Sequence, residues 1–236
     1  MDESTAEPLV TPETLVAALE KWLGNRHTGY DYVKIGKIRA AADTATFVRD
    51  EMPLAKIFPN RRLLHDAALQ ARGVKGLVLE FGVAGGQSVN YIAGALPDER
   101  VHGFDSFEGL PEAWTATYQK GHFAQNLPEV RDNVELHVGW FDRSLPAFLA
   151  KHPGPISYLH VDCDLYSSSA TIFGLLEDRI VPGTVIVFDE YFNYPTWREH
   201  EHKAFREFVD RRHVGFRYLG AVSCNKQLAV IIDSVG

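Results

Sequence analysis

The chain has 236 residues, of which 45% are hydrophobic, and this is enough for one full α/β domain. Its net charge of −7 and the lack of any lysine- or arginine-rich run argue against a nucleic-acid partner. No apolar run approaches the roughly 20 residues that span a membrane, and the acidic N-terminus is unlike a signal peptide. Two cysteines without a C-x-x-C motif argue against a disulfide framework and favour a cytoplasmic protein.

Residues 1–75 are predicted to form an N-terminal helical cap. Its first helix is expected to begin at Thr11-Pro-Glu-Thr and to break at residues 25–29. The apolar face of that helix consists of Leu15, Leu19, Trp22 and Leu23. Two more helices are expected over residues 38–51 and 61–72.

From residue 76 onward, strand and helix patterns alternate. Strands are predicted over residues 76–81, 101–105, 134–138, 156–162, 184–189, 216–222 and 227–232. Helices are predicted over residues 86–96, 144–151, 168–180 and 199–212. Such alternation predicts a mostly parallel sheet with helices on both faces. The last two strands are joined by a short turn, which permits only antiparallel pairing. The expected fold is therefore Rossmann-like α/β, with a seven-stranded sheet that carries an antiparallel hairpin at its C-terminal edge.

A glycine turn follows the first strand of this sheet. Gly82 and Gly86 allow a tight turn and a close approach of the backbone to a ligand, and Ser88 lies at the start of the next helix. The dinucleotide pattern G-x-G-x-x-G is absent. Glu80 at the strand end suits a cationic or hydroxyl-bearing ligand better than a pyrophosphate. Asp105 ends the next strand, where an acid can bind ribose hydroxyls. S-adenosylmethionine, with its sulfonium, ammonium and ribose groups, suits both acids.

Two later strands end in paired acids. Asp162 and Asp164 follow one buried run, and Asp189-Glu190 follow the next. If these strands are neighbours, the acids converge, and their repulsion raises a pKa unless a cation joins them. Mg²⁺ suits such oxygen ligands, and Asp164 is placed to act as a general base. The alternative is that Asp164, Ser167 or Ser168 caps the following helix and that Asp189 and Glu190 are solvent-exposed loop acids.

Other features are less specific. Residues 106–133 form a long connection that is either a lid over the ligand or a packed surface loop. Trp140 follows the third strand and either stacks on adenine or packs elsewhere. The Glu199-His-Glu-His202 run lacks metal-ligand spacing and is expected to be a solvated helix face. His122 in the lid and His160 near Asp162 are candidates for proton transfer or for a structural role.

Four motifs carry a resemblance to a known family. They are Glu80-Phe-Gly-Val-x-x-Gly86, Asp105-Ser-Phe-Glu-Gly-Leu-Pro111, Asp162-Cys-Asp164-Leu-Tyr-Ser and Pro182-Gly-x-Val-x-Val-Phe-Asp189. Together they resemble the macrocin O-methyltransferase family of class I S-adenosylmethionine-dependent methyltransferases. That family methylates sugar and related hydroxyls of natural products. The resemblance implies that residues 76–236 form the S-adenosylmethionine-binding methyltransferase domain.

The resemblance also implies roles for individual residues. Cofactor contacts are expected at Glu80, Gly82, Gly86, Ser88, Asp105, Ser106, Trp140 and Asp162. Metal ligands are expected at Asp162, Asp189 and Glu190, with Asp164 as the catalytic base. The family usually has Asp-Asp where this chain has Asp189-Glu190, and glutamate, which is one methylene longer, can still bind a cation.

The expected reaction is Mg²⁺-assisted O-methylation of a glycosyl or polyol hydroxyl of a small molecule in natural-product or antibiotic biosynthesis. No nucleic acid or membrane is expected to take part, and a homodimer is a possible assembly. A metal-independent methyltransferase is the first alternative. A nicotinamide-dependent oxidoreductase and a cofactor-binding module without turnover are the others.

Overall fold

The computed structural model describes residues 12–25 and 29–236. Its helices are α1 Pro12–Leu23, α2 Tyr32–Glu51, α3 Arg61–Gln70, α4 Gln87–Ala95, α5 Phe141–Leu149, α6 Tyr166–Leu176 and α7 Glu201–Arg211, with a 3₁₀ turn at Trp197–Glu199. Its strands are β1 Gly24–Asn25, β2 Gly29–Tyr30, β3 Lys56–Phe58, β4 Leu77–Phe81, β5 Val101–Asp105, β6 Val134–Val138, β7 Ile156–Val161, β8 Val185–Phe188, β9 Gly215–Val222 and β10 Leu228–Ser234. The predicted helix start at Thr11 and the middle of the break at residues 26–28 lie outside the described residues, as does the side chain of Leu15.

The main sheet has the order β3-β9-β10-β8-β7-β4-β5-β6. The five strands from β4 to β8 run parallel, and β10 pairs antiparallel with both β8 and β9. The predicted Rossmann-like fold with antiparallel C-terminal strands is therefore confirmed.

The sheet has eight strands rather than the predicted seven. The additional strand, β3, pairs parallel with β9 from Lys56↔Gly220 to Phe58↔Val222, so β3 and not the C-terminal hairpin forms that edge. Three residues are too few to show a period-two pattern, and β3 depends on the free edge that β9 offers.

Both faces of the sheet are covered, as the continuous apolar strands require. In β8, Ile186 and Phe188 face one core, and Val185 and Val187 face the other. The first core receives side chains from α2, α5, α6 and α7, and the second receives them from α3 and α4. Because the sheet is buried between helices, the ligand-accessible part is expected at the carboxyl ends of its strands.

Helix α2 packs against the 3₁₀ turn that precedes α7. Phe47 of α2 lies edge-on to Trp197 with ring centroids 5.4 Å apart, and Asp43 accepts hydrogen bonds from Trp197 and Arg198. The division of the chain at residue 75 stays a prediction. None of the described helices is long and apolar enough to cross a membrane.

Candidate cofactor and acceptor site

A cavity of about 590 Å³ opens at the carboxyl ends of β4, β5, β7 and β8. The site residues expected from the sequence that line it are Gly82, Asp105, Ser106, Trp140, Asp162, Asp164 and Glu190. The expected site residues that do not line it are Glu80, Gly86, Ser88 and Asp189. The volume and the mixture of polar and aromatic walls suit a ligand of nucleoside size.

The glycine turn between β4 and α4 holds the backbone close to β7. Gly82 has φ +90°, and a Cβ on it would lie 1.7 Å from the carbonyl oxygen of Asp162. Gly86 has φ +76° and stands at the N-terminus of α4 without a side-chain cap. Both glycines are therefore needed by the conformation of the turn.

The Asp105 carboxylate organises this turn. Its Oδ2 accepts hydrogen bonds from the backbone N–H groups of Val83 and Ala84, both at 2.9 Å, and its Oδ1 accepts one from Phe107 at 2.8 Å. A carboxylate has about four acceptor positions. Three are filled by backbone, and a position remains for a hydroxyl in the cavity.

Glu80 lies beneath the turn and is fully buried. Its Oε1 accepts a hydrogen bond from Ser88 Oγ at 3.0 Å, and its Oε2 lies 2.9 Å from His160 Nδ1. Glu80 therefore joins α4 to β7 and does not reach the cavity wall. Ser88 is occupied by this same contact.

The acids at the ends of β7 and β8 form two groups. Asp162, Asp189 and His160 each offer a ligand atom, and these three atoms lie within 4.8 Å of one another. His160 Nε2 is buried and has no hydrogen-bond partner among the described residues. Glu190 is not part of this group, and its Oε2 forms an ion pair with Lys226 Nζ at 2.5 Å.

Burial and mutual repulsion shift the acids that face the cavity. Burial, with a further contribution from Asp189, raises the pKa of Asp162 well above its usual range. The same two causes raise the pKa of Asp164 to about 6. Burial raises the pKa of Glu190 to about 7 against the opposing effect of Lys226. Acids with such pKa values can take up and release protons near neutral pH.

The capping alternative for Asp164 does not hold. Leu165 is the N-cap residue of α6, and no side chain caps that helix. Asp164 has φ +62°, a left-handed conformation that Asp tolerates better than most residues and that often marks functional sites. Asp189 and Glu190 are both partly buried rather than exposed loop acids.

Aromatic side chains from the long connection cover the cavity. Trp114 and Tyr118 stack with ring centroids 5.4 Å apart, and both line the cavity together with Phe123. Leu110 closes the loop on itself, since its N–H donates to His122 and its carbonyl accepts from Gly121, each at 2.9 Å. The lid interpretation of this connection is supported by its position.

Sequence reasoning missed Lys226 and misjudged Glu201. Lys226 lies in the hairpin turn, lines the cavity and also stands 5.6 Å from the centroid of the Trp114 ring. Glu201 was expected on a solvated face, but it is fully buried and accepts a hydrogen bond from the Glu190 N–H at 3.0 Å. That expectation was wrong, because the 3₁₀ turn before α7 directs the start of the helix into the acidic end of the sheet.

Residues 79–191 match the family model described as a methyltransferase domain. The curated 8-demethyl-8-(2,3-dimethoxy-alpha-L-rhamnosyl)-tetracenomycin-C 4'-O-methyltransferase of Streptomyces olivaceus is 30% identical over 149 residues. The match covers 51% of this chain and 55% of that protein, so the chain spans about half the length of the curated relative it matches.

Two solved structures share the fold across most of the chain. The calicheamicin methyltransferase CalS11 superposes with a TM-score of 0.59 at 22% identity, covering 98% of this chain and 99% of that one. The O-methyltransferase NovP gives a TM-score of 0.56 at 19% identity, covering 73% of this chain and 80% of that one.

The order of the strands in the sheet, the glycine turn and the position of the cavity together define a class I methyltransferase fold. The resemblance to natural-product O-methyltransferases drawn from the four motifs is supported by the curated relative, and the family model identifies residues 79–191 as similar to a methyltransferase domain.

Proposed function

We propose that this protein transfers a methyl group from S-adenosylmethionine to a hydroxyl of a sugar attached to, or destined for, a small-molecule natural product. The observation that carries the proposal is one covered cavity with two different ends. The glycine turn and Asp105 lie at one end, and acids with raised pKa values lie at the other. The curated relative is a 4'-O-methyltransferase of a rhamnosyl group, which supports a sugar acceptor.

The cofactor occupies the end formed by β4, β5 and β6. Asp105 binds a ribose hydroxyl with its remaining acceptor position, while its other bonds hold the glycine turn in place. Trp140, at the start of α5, gives an aromatic surface for the adenine. Gly82 and Asp162 both line the cavity, and the missing side chain at Gly82 lets the turn pack directly against the Asp162 carbonyl.

The acceptor hydroxyl occupies the end near Asp164. Its oxygen attacks the methyl carbon, the carbon–sulfur bond breaks and sulfur keeps the electron pair. Asp164 takes the hydroxyl proton. A base with a pKa of about 6 is ionised at neutral pH and is a stronger proton acceptor than an ordinary aspartate. The aromatic lid limits the access of water to the reacting atoms.

The residues at the ends of β7 and β8 fit a divalent cation. Asp162 and Asp189 converge with the unpartnered Nε2 of His160, and their repulsion raises the pKa of Asp162. Mg²⁺ held by Asp162 and Asp189 would supply positive charge that lowers the pKa of the acceptor hydroxyl. Glu190 is less suited to be the third ligand, because one of its carboxylate oxygens forms an ion pair with Lys226.

The position of Lys226 favours the alternative of a metal-independent methyltransferase. It already places a positive charge beside Glu190, and it opposes the raised pKa of Asp164 as well. A metal-independent methyltransferase would use this lysine in place of the cation. The homodimer and the cytoplasmic location stay predictions.

Two measurements test the proposal. Calorimetry with S-adenosylmethionine and with NAD separates the methyltransferase from the nicotinamide-dependent alternative. Mass spectrometry of TDP-rhamnose and of a rhamnosylated aglycone, each incubated with the protein and S-adenosylmethionine, detects the methylated product. Reactions with EDTA and with added Mg²⁺ separate the two metal hypotheses. Binding of NAD without binding of S-adenosylmethionine would overturn the proposal.

A further inference from the structure

A second group of possible metal ligands lies on β5 and on β6, the strand at one edge of the main sheet. His102 of β5 is directly opposite Glu135 of β6 in the sheet register, and His137 follows two residues after Glu135 on the same face. Each of the three offers a ligand atom within 4.8 Å of the others. None of the three lines the cavity.

The distances match a small tetrahedral ion. His102 Nδ1 lies 3.1 Å from His137 Nε2 and 3.7 Å from Glu135 Oε2, and His137 Nε2 lies 3.9 Å from Glu135 Oε1. Zinc bonds of 2.0–2.1 Å in a tetrahedron place neighbouring ligand atoms about 3.3 Å apart. An ion at the centre of these three atoms would therefore need only small side-chain adjustments.

The two imidazoles are in the chemical state that ligation needs. Burial and the neighbouring His137 lower the pKa of His102 to about 4. Burial also lowers the pKa of His137, against the effect of Glu135. Burial therefore favours the neutral form of both rings, and an ion would replace the N–H···N contact between them once the donating ring has moved its proton to the other ring nitrogen.

The surroundings leave a route for an ion and a possible fourth ligand. The Glu135 side chain is 50% exposed, whereas those of His102 and His137 are 5% and 16% exposed. The ring centroid of the partly buried His152 lies 5.0 Å from that of His102. Two imidazole nitrogens and a carboxylate are a ligand set typical of zinc rather than of Mg²⁺.

We propose that His102, Glu135 and His137 bind a divalent transition-metal ion, with Zn²⁺ as the best match. The ion joins β6, the last strand of the sheet, to β5 through side chains as well as backbone. It acts as a cross-link at an otherwise open sheet edge. The competing explanation is a simple N–H···N hydrogen bond between the two neutral rings. This site does not depend on the proposed methyl transfer.

The experiment is a titration of chelator-treated full-length protein with ZnCl₂ by calorimetry, and with CoCl₂ by visible absorption. Glu135→Gln and His137→Ala are each expected to weaken Zn²⁺ binding by more than about tenfold and to reduce the Co²⁺ absorption. Glu135 is half exposed, so the glutamine variant should fold normally. Zn²⁺ should raise the melting temperature of the wild type more than that of either variant, because both variants keep the acidic group at the ends of β7 and β8.

The controls separate this site from the acidic end. Asp189→Asn removes a ligand atom of the other group and should leave this Zn²⁺ site unchanged. Glu129→Gln, an exposed carboxylate-to-amide change, serves as the matched control for Glu135→Gln. Wild-type protein that binds no Zn²⁺, or Zn²⁺ binding that survives both Glu135→Gln and His137→Ala but is lost in Asp189→Asn, would overturn the proposal.

Discussion

The ends of β5 and β7 both present aspartates to the cavity, but the groups that surround the aspartates differ between the two ends. Asp105 accepts three backbone N–H groups. Asp162 and Asp164 are buried beside other acids, and their pKa values are raised. The comparison teaches that the donors around a carboxylate decide its role. A carboxylate held by several backbone donors organises a binding loop, whereas a carboxylate buried beside other acids is prepared for proton transfer or for a cation.

Asp164→Asn should have the largest effect, because it removes the proton acceptor and keeps the shape. We expect kcat to fall by about 10²–10⁴-fold, with little change in the affinity for S-adenosylmethionine. Steady-state kinetics and calorimetry measure the two quantities. Asp132→Asn, an exposed change outside the cavity, is the matched control. A fully active Asp164→Asn protein would remove Asp164 from the chemistry.

Asp105→Ala should mainly affect the cofactor end. Losing a charged hydrogen-bond acceptor should weaken S-adenosylmethionine binding by roughly 1.5–3 kcal/mol. The three backbone N–H groups also lose their acceptor, so the melting temperature should fall. Calorimetry together with thermal melting separates the two effects. Asp105→Asn should retain part of the cofactor affinity and part of the thermal stability. Unchanged cofactor affinity in a folded Asp105→Ala protein would contradict the ribose role.

Mg²⁺ should stabilise the acidic end specifically. The raised pKa of Asp162 means that ionising this acid destabilises the fold, so stability is lost as the pH rises through that pKa. A bound cation offsets the repulsion, and at a hundred times its Kd it adds about 2.7 kcal/mol. Thermal melting should therefore rise with Mg²⁺ in the wild type and not in Asp189→Ala. Full activity after exhaustive chelation would favour the metal-independent alternative.

Lys226→Met should give the smallest change and sharpen the comparison. Because Lys226 lowers the pKa values of Asp164 and Glu190, its removal should raise both. The wild-type kcat/KM should rise with pH through about 6 as Asp164 ionises. In the variant this rise of kcat/KM should shift to higher pH by up to about one pH unit. A pH–rate profile that does not move would show that Lys226 acts only through packing against Trp114.

The parallel strands could be predicted from sequence because each is a short apolar run between turn residues. The prediction for β7 ended one residue late, and that for β8 began one residue early and ended one residue late. The meeting of Asp162 with Asp189 followed from the rule that parallel strands end at one edge. β3 was missed because its three residues form a strand only where β9 leaves an edge free.

Contacts made between distant segments were beyond sequence reasoning. Lys226 reaches Glu190 only because β10 inserts between β8 and β9 and places the hairpin turn next to the cavity. The pairing of His102 with Glu135 depends on the register of β5 and β6, which no local pattern shows. The spacing of residues along one strand does not give the register of that strand against its neighbour.

The approach of Gly82 to Asp162 has a consequence for how this protein can be altered. Any side chain at position 82 would meet the carbonyl oxygen of Asp162, and φ there is +90°. A saturation library at this position should therefore yield glycine alone among active clones. Libraries meant to change acceptor preference are better directed to the lid around Trp114 and Tyr118, where side chains contact each other instead of the backbone of the sheet.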